Sequence, residues 1–204
     1  MPRPRIHDLD TVLDRAEALA VADGVAAVTI RAVAAASGMS NGAIYHSFGS
    51  RAELVARMWI RAARRFLDVQ RELVDTAPGA GPDAAIAAVV GAAEAPAVFA
   101  ERHPASARLL TVLRHDQLLA TELPDAVADE VRAQQRALIA LLRTLSERLW
   151  GRRDARAVDV VTACVVDLPT ALLLTRDRVT DPDTRIRLRA AVRAAVTATT
   201  PPHP

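Results

Sequence analysis

Apolar residues recur every three or four positions along most of the chain, and no stretch shows the one-by-one alternation of a half-buried strand. Leu9, Val12, Leu13, Ala16, Leu19 and Ala20 form one stripe, which predicts a helix over about 8–23 with Gly24 ending it. Leu54, Met58, Ala62, Phe66, Val69 and Leu73 form another, which predicts a long helix from 50 to about 76, stopped by the Pro78-Gly-Ala-Gly-Pro82 loop. Further helices are predicted at about 83–100, 104–120, 124–150, 154–179 and 183–199, punctuated by His103-Pro104, Leu123-Pro124, Gly151 and Asp181-Pro182. The fold class is all-α.

Between the first two stripes, residues 29–51 read as two short helices around a tight glycine turn. Thr29 is an N-cap, Val33 and Ala34 give a small apolar contact for close helix crossing, and Gly38 stands where the first short helix must end in a left-handed conformation. Ser40 caps the second helix, in which Ile44 and Phe48 share an inward face while Asn41, Gly42, Ala43, Tyr45 and His46 are presented outward or at the rim. Ser50 and Glu53 form an S-x-x-E capping box that starts the next helix at once. Together with helix 8–23 this is an amino-terminal three-helix unit containing a helix-turn-helix; the plainer reading is a helical corner of an ordinary bundle. The boundaries that follow are a helix-turn-helix domain at 1–50, opened by an arm carrying Arg3 and Arg5, and a carboxy-terminal helical bundle at 51–204.

The last two long helices differ from the others. Val158, Val161, Val165, Leu168 and Leu172 give one stripe, and Val160, Cys164 and Leu174 widen it beyond what a surface helix needs, which points to burial on two sides, one of them against a second copy of the chain. Pro169 should kink this run and free the carbonyl of Val165, either bordering a cavity or fitting a dimer contact. Arg185, Arg189 and Arg193 stack at i,i+4 and read as a solvated face.

Composition narrows the function classes. At 204 residues with 51% hydrophobic, the chain can bury one large core or two small ones. All 26 basic residues are Arg, which reads first as a GC-rich coding bias. The net charge is only +2, and residues 1–55 hold five Arg against six acids, so bulk charge does not mark a nucleic-acid face and the case for DNA rests on local geometry. One cysteine, Cys164, excludes an internal disulfide or a cysteine-based zinc site within one chain, and it reads as a small buried apolar residue. His103, His115 and Cys164 lie on separate helices without metal-ligand spacing. There is no phosphate loop, nucleophile elbow or distinctive carboxylate pair, so neither an enzyme, a metal nor a cofactor is expected. No secretory segment precedes the first helix, and no uncharged apolar run reaches the ~18 residues of a membrane span, so a cytoplasmic protein off the membrane is expected.

The run Gly38-Met-Ser-Asn-Gly-Ala-Ile-Tyr-His-Ser-Phe-Gly-Ser-Arg-Ala-Glu-Leu54 resembles the signature of the TetR/AcrR family of bacterial transcription regulators, with its glycine turn, Tyr-x-x-Phe core and capped following helix. The resemblance is specific over residues 8–58; beyond them only helical layout and length agree. It implies an amino-terminal DNA-binding domain, a variable ligand-binding domain and a homodimer built from the last two long helices. It also implies base-edge contacts near Asn41, Gly42, Ala43 and Tyr45, with Arg31 available from the preceding helix. Asn pairs with adenine, Arg with guanine, and an Ala methyl with the thymine methyl. Thr29, Tyr45, His46, Ser47 and Arg51 look like phosphate clamps beside the Ser40-capped helix start, although His46 alone also reads as a plain surface residue. The chain departs from the common family pattern at Asn41, where Lys is frequent, and at Gly49, which is often basic. Arg3 and Arg5, or a pair of dimers on one operator, stand to compensate.

Only six residues are aromatic, too few for a cation cage once Tyr45 and Phe48 are assigned to the helix-turn-helix. An aliphatic pocket lined by Phe66, Phe99, Leu110, Leu113 and Leu142, with His103, His115 or Asp167 orienting a polar end, is the expected effector site. The expected protein is a ligand-responsive repressor, a homodimer on a palindromic DNA operator released by a small lipophilic effector, the helix from Ser50 carrying the displacement. Two alternatives stay open: a DNA-binding dimer whose carboxy-terminal domain is a filled core without a sensor, and, more remotely, an all-helical interaction module or enzyme.

Overall fold

The computed structural model describes residues 6–198, and among them every regular element is helical. The order is α1 (Ile6–Asp23), α2 (Ile30–Ser37), α3 (Asn41–Phe48), α4 (Arg51–Asp75), α5 (Gly81–Arg102), α6 (Pro104–Val112), α7 (His115–Leu119), α8 (Asp125–Trp150), α9 (Ala155–Thr162) and α10 (Pro182–Ala198). The arm with Arg3 and Arg5 lies outside the described residues.

The chain divides into two compact units, one running up to Arg64 and taking in Pro104–Gln134, the other holding Arg65–His103 and the residues from Gln135 onward. The division falls inside α4 and α8 rather than at residue 50, and α6 and α7 join the amino-terminal helices.

In the first unit, Val12, Ala16, Val33, Ile44, Leu54, Met58 and Leu109 form the core. Two features depart from the sequence pattern. A 3-10 turn, Val25–Ala27, links α1 to α2, and the single helix expected at 104–120 is two. Arg114 is extended between α6 and α7, with its N–H donating to the Gln117 side-chain oxygen at 2.9 Å. The carbonyl of Leu113 at this break accepts from the buried Trp59 indole Nε1 at 2.9 Å. A bulky apolar ring with one donor is suited to closing a break inside a core.

In the second unit, Val89, Ala92, Leu145, Val161, Leu173 and Leu188 are packed together. Gly91 lets α5 lie close on α4, since a Cβ there would stand 2.8 Å from the backbone oxygen of Leu73. Pro96 sits inside α5 and has no N–H for the carbonyl of Ala92, one turn back. That carbonyl accepts instead from the Gln70 side-chain Nε2 at 3.1 Å. Gln70 is 1% exposed, and its Oε1 has no hydrogen-bond partner among the described residues.

After α9 the helix widens into two π-helical turns, Ala163–Asp167 and Thr170–Leu174, on either side of Pro169. The Leu168 N–H reaches back five residues to the carbonyl of Ala163, and Pro169 itself keeps helical angles. Wider turns thus carry the chain past the proline. They also shift the buried face: Val161, Cys164, Val165, Pro169 and Leu173 are buried, whereas Leu168 and Leu172 of the expected stripe are only half-buried. Burial pushes the Cys164 thiol above its ordinary pKa, as for a small apolar core residue. The expected solvated face holds for Arg189 and Arg193, which are exposed, but Arg185 is half-buried; Arg185 and Arg189 both pair with Glu94 of α5, and Arg185 also with Glu101. Gly81–Arg102 and Ala155–Leu174 are long and apolar enough to cross a membrane by length and composition alone; α5 places nine of its residues in buried positions within the fold.

Candidate nucleic-acid interface

Each end of the two short helices is fixed by its own residue. The Thr29 hydroxyl accepts from the Ala32 N–H at 3.1 Å and the Ser40 hydroxyl from the Ala43 N–H at 3.2 Å. Between them Gly38 adopts a left-handed conformation (φ 73°, ψ 8°) that an L side chain rarely takes. Val33 and Ala34 are buried on α2, as are Ile44 and Phe48 on α3. The opposite face of α3 is open: Asn41, Gly42 and His46 are exposed, Tyr45 is 55% exposed, and Ala43 and Ser47 stand at the rim, half-buried. Nothing but the Ser40 hydroxyl, 4.0 Å away, would meet a Cβ at Gly42, so this glycine leaves the outer face of α3 low rather than relieving a clash. Thr29, Arg31 and Ser40 are also exposed.

The start of α4 departs from the reciprocal box. Ser50 Oγ accepts from the Glu53 N–H at 3.1 Å, while the Glu53 carboxylate turns to Arg57. Arg51 is exposed, yet its guanidinium holds backbone: Nε donates to the Val28 carbonyl and Nη2 to that of Val25, both at 2.7 Å. It ties the 3-10 turn before α2 to the start of α4.

The basic residues further along α4 face acids. Arg57 and Arg64 share Glu130, and Arg61 pairs with Asp14 at 2.8 Å and Glu17 at 2.7 Å. Glu17, 3% exposed, also accepts from the Ser106 hydroxyl at 2.7 Å, so one carboxylate joins α1, α4 and α6. Sequence reasoning did not pick out Glu17; its signal was an acid set inside the apolar stripe of α1, matched by an Arg inside that of α4.

The expected effector residues separate. Phe66 and Phe99 meet edge to face at 5.5 Å, with His103 against Phe99 at 5.4 Å. Leu142 is buried in the same unit and Asp167 is exposed there. Leu110, Leu113 and His115 belong to the first unit, where Leu113 is a core residue.

Residues 12–58 match the family model for bacterial regulatory proteins of the tetR family. No curated protein matches the chain. Among solved structures, a putative transcriptional regulator from Pseudomonas aeruginosa PAO1 is similar over 96% of this chain and 92% of its own, at 19% identity and a TM-score of 0.72. A TetR-like transcriptional regulator from Rhodococcus sp. RHA1 is similar over 96% and 97%, at 22% identity and 0.66. The fatty acid degradation regulator FadR from Bacillus halodurans is similar over 93% and 98%, at 13% identity and 0.65. A helix-turn-helix with one open face, on the stretch that the family model matches, is the arrangement of a DNA-binding domain. The family match covers residues 12–58, from α1 into α4, and the likeness of the whole chain to these solved structures is one of fold.

Proposed function

We propose that the protein is a repressor that binds a palindromic operator as a homodimer and is released by a small lipophilic effector, acting in the cytoplasm. The observation that carries the DNA half is the open face of α3 above a buried Ile44 and Phe48. On this reading Asn41, Ala43 and the bare backbone at Gly42 read base edges, with Arg31 beside them. Thr29, Ser40, Tyr45, His46 and Ser47 hold phosphates, and Arg51 does so with the donors it does not spend on Val25 and Val28. Two copies of α3 must then stand about 34–36 Å apart to enter successive major grooves.

The dimer reading draws support from the half-buried Val166, Leu168 and Leu172 of the widened helix and from Ile186 of α10, 60% exposed. The effector reading, with residues 1–50 as DNA reader and 51–204 as sensor and dimer body, draws support from the cluster of Phe66, Phe99 and His103. A ligand that favours one spacing of the two α3 helices shifts the population by its differential affinity alone. A filled second unit without a sensor is the second reading, favoured by the continuous packing of Leu142, Leu145, Val161 and Leu173.

Selection of bound duplexes from a random DNA pool, then titration of the winner at two salt concentrations, tests the reading. An enriched palindrome with salt-dependent affinity is expected. Asn41→Ala should change preference at one base pair by ~1–3 kcal/mol, and Tyr45→Ala should weaken all sequences alike. Equal effects of both on every sequence would remove the division into readers and clamps.

A further inference from the structure

We propose that the first unit carries a second small-molecule site, for an apolar monocarboxylate, in the groove between the 3-10 turn, the start of α4 and the break between α6 and α7. This goes beyond the effector reading and uses no residue of the second unit. The groove has a volume of about 330 Å³ and apolar walls that include Val25, Val55, Val112 and Leu118. Val112 is 52% exposed at the last position of α6, on one side of this groove.

Arg51 is the one ionised side chain among the groove's lining residues, and no acid accompanies it. That differs from Arg57, Arg61 and Arg64 further along α4, each of which faces a carboxylate. A guanidinium has five N–H donors, and the bonds to Val25 and Val28 use one on Nε and one on Nη2. The rest can take a planar two-oxygen acceptor, which is what a carboxylate offers. Gln117 also lines the groove: its oxygen is held by the Arg114 N–H, which leaves its amide nitrogen as a donor there. Apolar walls with a single cation select an apolar anion over a neutral or cationic molecule of the same length.

Occupancy bears on DNA because the carbonyls that Arg51 holds belong to the turn just before Thr29, the cap of α2. A carboxylate on the remaining Nη donors sets a negative charge beside that turn. It also draws on the guanidinium that a phosphate would use.

Decanoate, below its micelle concentration, is the probe, with decanol and decylamine as neutral and cationic controls. Titration calorimetry of the full chain should show decanoate binding at least tenfold more tightly than either control. Val112→Glu places a carboxylate at an exposed groove position without disturbing the core, and should weaken decanoate at least tenfold. Decanoate should lower affinity for the selected operator in the wild type and not in the variant. A decanoate with a terminal diazirine should label peptides from 51–55 or 109–121. Equal affinity for decanoate and decanol, unchanged affinity in Val112→Glu, operator affinity indifferent to decanoate, or label confined to 66–103 or 135–198 would each overturn the proposal.

Discussion

The two units mend broken backbone in different ways, and α4 supplies the donor in both. In the first unit the breaks lie at helix ends. Arg51 takes the carbonyls of the 3-10 turn, Trp59 takes that of Leu113, and Arg61 meets a buried Glu17 that also accepts from Ser106. Every partner is accounted for. In the second unit the break lies inside α5, at Pro96, and Gln70 mends it with one end of its amide while the other end stays buried and unpaired. A buried polar group costs little when satisfied and a good deal when not. The polar ties at the breaks of the first unit are thus complete, whereas the tie at Pro96 in the second is not.

The sharpest way to break this comparison is at Glu17. Glu17→Leu leaves Ser106 and one side of Arg61 without their buried partner. Loss of one member of a buried charge pair typically costs ~3–5 kcal/mol. Arg61 keeps Asp14, so the expectation sits near the low end, about 3 kcal/mol by denaturant unfolding, with operator affinity falling as well. A loss below about 1 kcal/mol would mean that the tie joining α1, α4 and α6 does not pin the unit.

Next comes Gln70. Gln70→Leu removes the donor to the Ala92 carbonyl but also the unpaired oxygen, so a net loss of about 2 kcal/mol is expected. Pro96→Ala restores an N–H one turn from that carbonyl, and in its background Gln70→Leu should cost far less. A double-mutant cycle measures this coupling. Additive costs would show that Gln70 does not serve the proline. Gly91→Ala is smaller. The added Cβ must push on the Leu73 carbonyl, while alanine recovers up to ~1 kcal/mol of helix propensity, so a net loss of about 1 kcal/mol is expected.

What the sequence could and could not convey follows the same line. The caps at Thr29 and Ser40, the left-handed Gly38, the inward Ile44 and Phe48 and the outward Asn41 and Tyr45 are all set by residues within four positions of one another, and all were legible. The split of 104–120, the role of Arg51 and the pairing of Glu17 were not, because each depends on a partner 23 to 89 residues away. The pairing of Arg185 and Arg189 was not legible for the same reason: Glu94 stands on another helix. The eight expected effector residues were gathered by chemistry alone, and the fold sets Phe99 against Phe66 and His103 while Leu110, Leu113 and His115 fall in the other unit. At Pro169 the sequence located the disturbance correctly, but two π turns absorb it and rotate the buried face.

The smallest expected effect separates the two units by pH. In the first unit α2 and α3 are capped by hydroxyls, which do not titrate. In the second unit α9 starts at Asp154, whose carboxylate accepts from the Ala157 N–H, and α10 follows Asp181, which accepts from Thr184 and the Asp183 N–H. The Arg152 guanidinium, hydrogen-bonded to Asp154, brings that carboxyl down to about 2, and the Thr184 hydroxyl holds Asp181 below its usual range. A carboxyl depressed in the folded state binds fewer protons there than in the unfolded chain. Its contribution is thus present above the unperturbed value of 3.8 and is lost as pH falls toward 2. Amide hydrogen exchange should show the first turns of α9 and α10 losing more protection across that window than those of α2 and α3. Asp154→Asn retains an N-cap but no titrating group, so it should flatten the response at α9 without lowering protection at neutral pH. If α2 and α3 open over the same range as α9, acid acts on the two units alike and the caps do not distinguish them.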